Sequence, residues 1–228
     1  MPRCSKAKRR CCPWDVYLVG FHAAKEDPAM QMEAHHYCRQ ANEEFAQCVF
    51  FDGNSEQANL VGIEYSVSER LFDTLPAGEQ EYWPPHNYEI LSGELIAPGI
   101  PAAAEKALMR GKMNSYGKTW HVWNSAPFQR TGDRMPVGNA MLEWSFNRDG
   151  EAAPGIFDGR DRRMGTNTAE ARAERKDLVS LARPQSRVDA LKGKFGRPTT
   201  GIPGATDRSA ASGQREGRRG VLPEEFWK

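Results

Sequence analysis

Two adjacent prolines, Pro84 and Pro85, constrain this chain more than any other pair of residues. Neither offers a backbone donor, and each ring clashes with a preceding helical turn, so a helix arriving from the N-terminal side must stop there. The run that follows, His86-Asn87-Tyr88-Glu89-Ile90-Leu91-Ser92-Gly93, sets a histidine and a carboxylate among β-favouring residues. It reads as extended from His86 to Ile96, a strand in the middle of a sheet, with His86 held at the strand mouth.

The flanks fit that frame. Upstream, Ser66-Val67-Ser68-Glu69 has the spacing of a capping box, with Glu three residues after Ser. Leu71, Phe72 and Leu75 give a short apolar stripe that Pro76 interrupts, and Glu79 to Trp83 forms the last turns. Val16 to Phe21 is a strand or short core segment. In Glu33-Ala34-His35-His36-Tyr37-Cys38-Arg39 the alternation puts Ala34, His36 and Cys38 on one face and His35 on the other. A helix over Gln31 to Glu44 competes with that strand, since no breaker interrupts it. Cys48–Phe51 and Leu60–Val67 flank Asp52-Gly53-Asn54-Ser55 as a hairpin. Ala102 to Met113 favours helix by propensity, Thr119 to Trp123 and Ala140 to Phe146 read as strands, and Thr168 to about Leu181 reads as a capped helix. Strands with interposed helices but no regular alternation point to α+β, with a mainly antiparallel five- to six-stranded curled sheet and flanking helices.

The aromatic residues lie mostly before residue 150, and the hydrophobic fraction of 39% is low, as polar tails around a compact domain would make it. The expected organisation is a basic disordered arm at 1–13, a domain at 14–182 and a disordered tail at 183–228, where Gly, Pro, Ser and Arg dominate. A net charge of +1 gives no field that draws the protein to nucleic acid. No run approaches the roughly 20 apolar residues of a membrane span, and no apolar stretch follows the basic start as in a secretory signal. Five cysteines without regular spacing argue against a disulfide framework and for a reducing compartment.

Several motifs in fixed order carry a resemblance. They are Glu33-Ala34-His35-His36-Tyr37-Cys38, Gly62-Ile63-Glu64-Tyr65, Phe72-Asp73-Thr74-Leu75-Pro76, His86 to Gly93, Tyr116-Gly117-Lys118-Thr119-Trp120-His121 and Gly132-Asp133-Arg134-Met135-Pro136. Over about residues 14–182 the chain resembles the oil body-associated protein family of plants, which has fungal and bacterial relatives. The resemblance implies a protein found with seed lipid droplets and brings no catalytic mechanism. Where many relatives have a histidine after the tryptophan, this chain has Pro84.

Two functions follow as expectations. One is a cytoplasmic, non-enzymatic protein attached peripherally to lipid droplets or to a partner. Its anchor would be the N-terminal arm, where cysteines lie beside Lys6, Lys8, Arg9 and Arg10, or the segment 101–113. The other is a small metal-dependent oxygenase or hydrolase. Its candidate ligands are His36, His86, Glu89 and His121, imidazole and carboxylate groups of the types that suit zinc, iron or copper. On a strand His86 and Glu89 face opposite ways, and converge only if His86 lies in the turn. His22 has no ligand-type neighbour and reads as a packed or exposed histidine. No nucleophile elbow and no glycine-rich phosphate loop occurs.

Overall fold

Six short runs with a two-residue period give six strands, and the strands close on themselves. The structure, a computed structural model, describes residues 14–125 and 132–211. The basic arm and the end of the expected tail lie outside these residues. The strands are β1 (Val16–Ala24), β2 (Gln31–Asn42), β3 (Phe45–Phe51), β4 (Leu60–Val67), β5 (Tyr116–His121) and β6 (Met141–Trp144). Each pairs antiparallel with its neighbours in chain order, and β6 returns to β1 through Ala23 opposite Trp144 and Ala24 opposite Glu143. The sheet is therefore a closed barrel rather than the open curled sheet expected. Closure pairs both edges of the sheet, which an open sheet leaves exposed.

Between β4 and β5 come α1 (Glu69–Phe72), α2 (Ala77–Gln80), α3 (Asn87–Leu91) and α4 (Ala102–Lys112). Ser68 caps α1, accepting a hydrogen bond from the Leu71 amide. After β6 follow α5 (Ile156–Met164), α6 (Thr168–Glu174), a 3-10 turn (Lys176–Leu181) and α7 (Arg208–Ala211). The long helix expected from Thr168 thus changes pitch at Arg175, whose guanidinium turns inward to donate to the carbonyls of Ile90 and Leu95.

The segment after the double proline is not a strand. It enters extended, with Pro85 bridging to Tyr116, then turns into α3 and ends at Ile96 bridging to Val19. Every residue from Trp83 to Ala97 is buried. β6 spans only four residues, so it leaves β1 and β5 unpaired along part of their length, and this segment plugs that gap. Tertiary packing overrides local propensity here. A helical turn satisfies its own backbone while the Arg160 and Arg175 guanidiniums satisfy the carbonyls of Glu94, Ile90 and Leu95. Gly93 (φ +81°) turns the chain where a Cβ would stand 2.3 Å from the Thr168 carbonyl oxygen.

Two further expectations are corrected. Residues 183–209 are not disordered: Val188 is buried, and Leu191, Phe195, Ile202 and Ala205 are buried in the main apolar cluster. They have no period because the segment packs through turns, pinned by bridges Asp149–Thr200 and Gln185–Asp207. Gln185 also accepts from the Asn87 amide and donates to the Ser115 carbonyl. Cys38 and Cys48 form a disulfide. They stand directly opposite each other on β2 and β3, a proximity set by hairpin register that cysteine spacing does not reveal. This removes the argument for a reducing compartment.

The helices and this C-terminal segment pack on one side of the barrel. They cover the outer face of β1, where Val19, Phe21 and Ala23 are fully buried and Phe21 meets Phe157. Among the described residues the outer face around β4 and β5 is less covered: Tyr82 stands against Trp120, and Leu60, Ile63, Tyr65 and Val122 are exposed there.

Candidate metal centre inside the barrel

On β4 the usual polarity is reversed. Gly62, Glu64 and Ser66 share the inward face, and Ile63 and Tyr65 the outward one. Glu64 is 6% exposed, whereas Ile63 and Tyr65 are each 37% exposed. On β5, Gly117, Thr119 and His121 point in. β1 contributes His22, and β2 contributes His36. His86, which precedes α3, enters from the plug. Four of the five histidines of the chain thereby meet in the barrel around one carboxylate. The fifth, His35, sits on the opposite face of β2 from His36, where it bonds the Tyr17 hydroxyl (2.6 Å) and Glu33 (3.0 Å).

Glu64 is the centre of this set. Its Oε1 accepts from the Ser66 hydroxyl at 2.6 Å and lies 3.5 Å from His86 Nε2. Its Oε2 lies 3.7 Å from His36 Nε2. His36 Nδ1 faces the Ala34 carbonyl oxygen at 2.9 Å. A carbonyl only accepts, so this nitrogen carries the proton and Nε2 presents a lone pair. The same holds at His86. The Ser115 hydroxyl donates to the Lys112 carbonyl (2.7 Å), so it accepts from His86 Nδ1 (2.9 Å). His22 Nδ1 lies 3.1 Å from His121 Nε2, and the His22 ring also stands 5.1 Å from the His36 ring. One ligand atom each from His22, His36 and Glu64 fall within 4.8 Å of one another.

Burial fixes the charge states. It pushes His36 and His86 down to about 4, against the pull of the Glu64 carboxylate, and His121 down to about 3. His22 falls well below the usual imidazole range for the same reason. Burial also opposes ionisation of Glu64, but His86, His36 and the Ser66 hydrogen bond outweigh it and hold Glu64 below the usual carboxylate range. Burial, then the Glu64 charge, raise Glu89 to about 8. The set therefore combines one ionised carboxylate with neutral imidazoles, donor types that suit zinc, iron or copper.

The sequence-derived ligands His36, His86, Glu89 and His121 all lie in this interior, but not at one point. His36 and His86 flank Glu64. His121 stands one step out, against His22. Glu89 is on the far side of His86, 4.0 Å from its Nδ1, because residues three apart share a face on a helix. His22 and Glu64 were not singled out as ligands. The signal for His22 was its phase in β1, shared with Leu18 and Gly20. Glu64 gave no usable signal, since an alternating run normally turns Ile63 and Tyr65 inward.

A cleft of about 670 Å³ opens at this end of the barrel, lined by residues that include Lys112, Met113 and Arg183 and by Ser66 and Ser115, the two serines that touch Glu64 and His86. Gly117 is the tightest point of the wall. A Cβ there would stand 2.4 Å from His86 Nε2 and 2.8 Å from Glu64 Oε1.

Residues 12–179 match a family model described as a protein of unknown function, DUF1264. The chain is 37% identical over 179 residues to oil body-associated protein 2A of Zea mays, covering 78% of this chain and 67% of the relative. It is 35% identical over 181 residues to oil body-associated protein 1B of Arabidopsis thaliana, covering 79% and 72%. With oil body-associated protein 1A of Zea mays the identity is 32% over 181 residues, covering 79% and 73%. No solved structure matches. Across most of its length, from the strand that bears His22 to the turns behind α6, this chain belongs to the oil body-associated protein family.

Proposed function

We propose that this chain is a peripheral, non-catalytic protein of lipid-droplet surfaces that seats on lipid through the bare outer wall of its barrel. The observation carrying this reading is a row of apolar residues in continuous register around all six strands: Tyr17, Tyr37, Val49, Ile63, Trp120 and Leu142. Beside it Leu60, Tyr65, Tyr82 and Val122 are 51%, 37%, 39% and 47% exposed. A contiguous exposed apolar patch marks an interaction surface. Tyrosine and tryptophan suit a lipid interface, because the ring is apolar and its polar tip stays wet. Lys118 lies in the patch, 5.0 Å from the Tyr82 ring, with its ammonium paired to Glu79 at 2.6 Å. Among the described residues no helix is long and apolar enough to cross a membrane, which fits attachment from one side. The relatives' names place them with oil bodies. Burying a large apolar side chain yields about 1.5–3 kcal/mol. Several partly exposed ones therefore give reversible adhesion of a few kcal/mol.

Flotation of the full chain with triacylglycerol droplets coated by phosphatidylcholine tests this. The wild type is expected in the floating fraction, and Ile63→Asp/Val122→Asp in the pellet with an unchanged circular dichroism melt. Leu181→Asp, on the covered side, is expected to float. Flotation of the double variant to the wild-type extent refutes the assignment.

The second reading is a small metal-dependent enzyme of the oxygenase or hydrolase type. The observation favouring it is the cleft that reaches Ser66 and Ser115, the serines hydrogen-bonded to Glu64 and His86.

A further inference from the structure

We propose that the barrel interior is a transition-metal site in which His22, His36 and Glu64 ligate one divalent ion of the zinc or iron(II) class, with His121 positioning His22 and His86 standing against the other oxygen of Glu64. This stands independently of the lipid-surface reading, and a failure to float leaves it intact.

Two imidazole lone pairs, His36 Nε2 and His86 Nε2, point at the two oxygens of one carboxylate. Lone pair against lone pair is repulsive, so something positive belongs between them. A shared proton would draw the pairs to hydrogen-bond distance, about 2.7–3.0 Å. The separations are 3.5 and 3.7 Å. Two donors about 2.1 Å from one ion, at a tetrahedral angle, stand roughly 3.4 Å apart. The spacing fits a bridging ion and is too long for a bridging proton.

The outer contacts follow the pattern of built metal sites, where each ligand is oriented through its far atom. His36 donates through Nδ1 to the Ala34 carbonyl, and His86 through Nδ1 to Ser115. Glu64 accepts from Ser66. Nδ1 of His22 stands 3.1 Å from His121 Nε2, and one ring nitrogen of His22 lies within 4.8 Å of the donor atoms of His36 and Glu64. No hydrogen-bond partner meets His121 Nδ1, and the residue is fully buried. His22, His36 and Glu64 alone make a two-histidine, one-carboxylate set, a donor combination used for both non-haem iron(II) and zinc. His86 lies outside this set and meets Oε1 of Glu64 at 3.5 Å from the plug. Such a centre would tie β1, β2 and β4 together across the barrel.

The full chain purified without chelator is expected to carry one equivalent of zinc or iron by elemental analysis. After chelation it is expected to take up one equivalent of Co(II), with visible d–d absorption that Zn(II) abolishes. Glu64→Gln, which preserves shape, and His36→Ala are expected to lose this equivalent. His121→Phe is expected to weaken Co(II) binding about 10–100-fold, as loss of an orienting partner does. His35→Ala, on the other face of β2, is expected to keep the metal. A wild type that neither contains metal nor takes up Co(II), Zn(II) or Fe(II) overturns the proposal, and that arm needs no variant to fold. Metal retained undiminished in Glu64→Gln also overturns it, because the ion would then belong to another site.

Discussion

Gly117→Ala isolates the tightest contact in the barrel. Gly117 lies in extended β5 and its amide donates to the Pro84 carbonyl at 2.9 Å, a geometry alanine also adopts. The cost therefore comes from the methyl group alone, which would stand 2.4 Å from His86 Nε2 and 2.8 Å from Glu64 Oε1. Real carbon atoms do not approach so closely, so His86 must leave its rotamer or the strand must move. Overpacking of this kind costs about 1–3 kcal/mol. At roughly 2–4 °C per kcal/mol for a domain of this size, the melting temperature should fall by about 2–12 °C. Gly111→Ala is the control: nothing lies within 4 Å of its added methyl, and in α4 it should stabilise by up to about 1 kcal/mol. Urea unfolding of Gly117→Ala, His86→Ala and the double variant completes the cycle. If the clash is with His86, the double variant should be more stable than the sum of the singles by about 1 kcal/mol or more. Strict additivity, or a Gly117→Ala protein as stable as the wild type, refutes the packing described here.

Two further outcomes follow. A chain ending at Ala182 removes Val188, Leu191, Phe195 and Ile202, whose burial at about 1.5–3 kcal/mol each rivals a total stability of about 5–15 kcal/mol. It should be insoluble or molten by circular dichroism and proteolysis, and a cooperative melt would refute the role given to this segment. In metal-free protein, Glu89 is raised to about 8, so the fold holds a proton that the unfolded chain releases near 4.5. The Glu89 contribution falls as pH rises from about 4.5 to 8, so the stability difference between wild type and Glu89→Gln in urea should shrink over that window. His36 and His86, lowered to about 4, have the opposite sign: their contribution is lost as pH drops from about 6.5 toward 4, so the two effects oppose each other between about 4.5 and 6.5 and the Glu89 limb is read above it.

Several strands are legible through alternation, as in β3 and the middle of β4, whereas β1 is a near-continuous apolar run. The opposed faces of His35 and His36 followed from period two alone, and the hairpin around Asp52-Gly53 from turn chemistry. What alternation does not give is which face is inside. Ile63 and Tyr65 outrank Glu64 and Ser66 on any hydrophobicity scale, yet the latter pair points in. The interior became polar because helices and the C-terminal turns supply the apolar core outside β1, around Phe21 and Phe157. α3 was illegible for a related reason. Its five residues make a helix only where guanidiniums from Arg160 and Arg175, some seventy to eighty residues away, meet the carbonyls around it. The segment after Arg183 lacks a period because its apolar residues fall one at a time between turns.

Barrel closure has a consequence for recruitment. A sheet with a free edge captures partners by lending them backbone hydrogen bonds, an interaction tolerant of sequence. Here β1 is paired with β2 along one side and held at Val19, Ala23 and Ala24 by Ile96 and β6 on the other, so among the described residues few strand rungs are left to lend. Whatever this barrel binds on its outer wall, it must recognise through side chains. Binding and specificity are then set by the same few exposed residues, and single substitutions on the wall should redirect one together with the other.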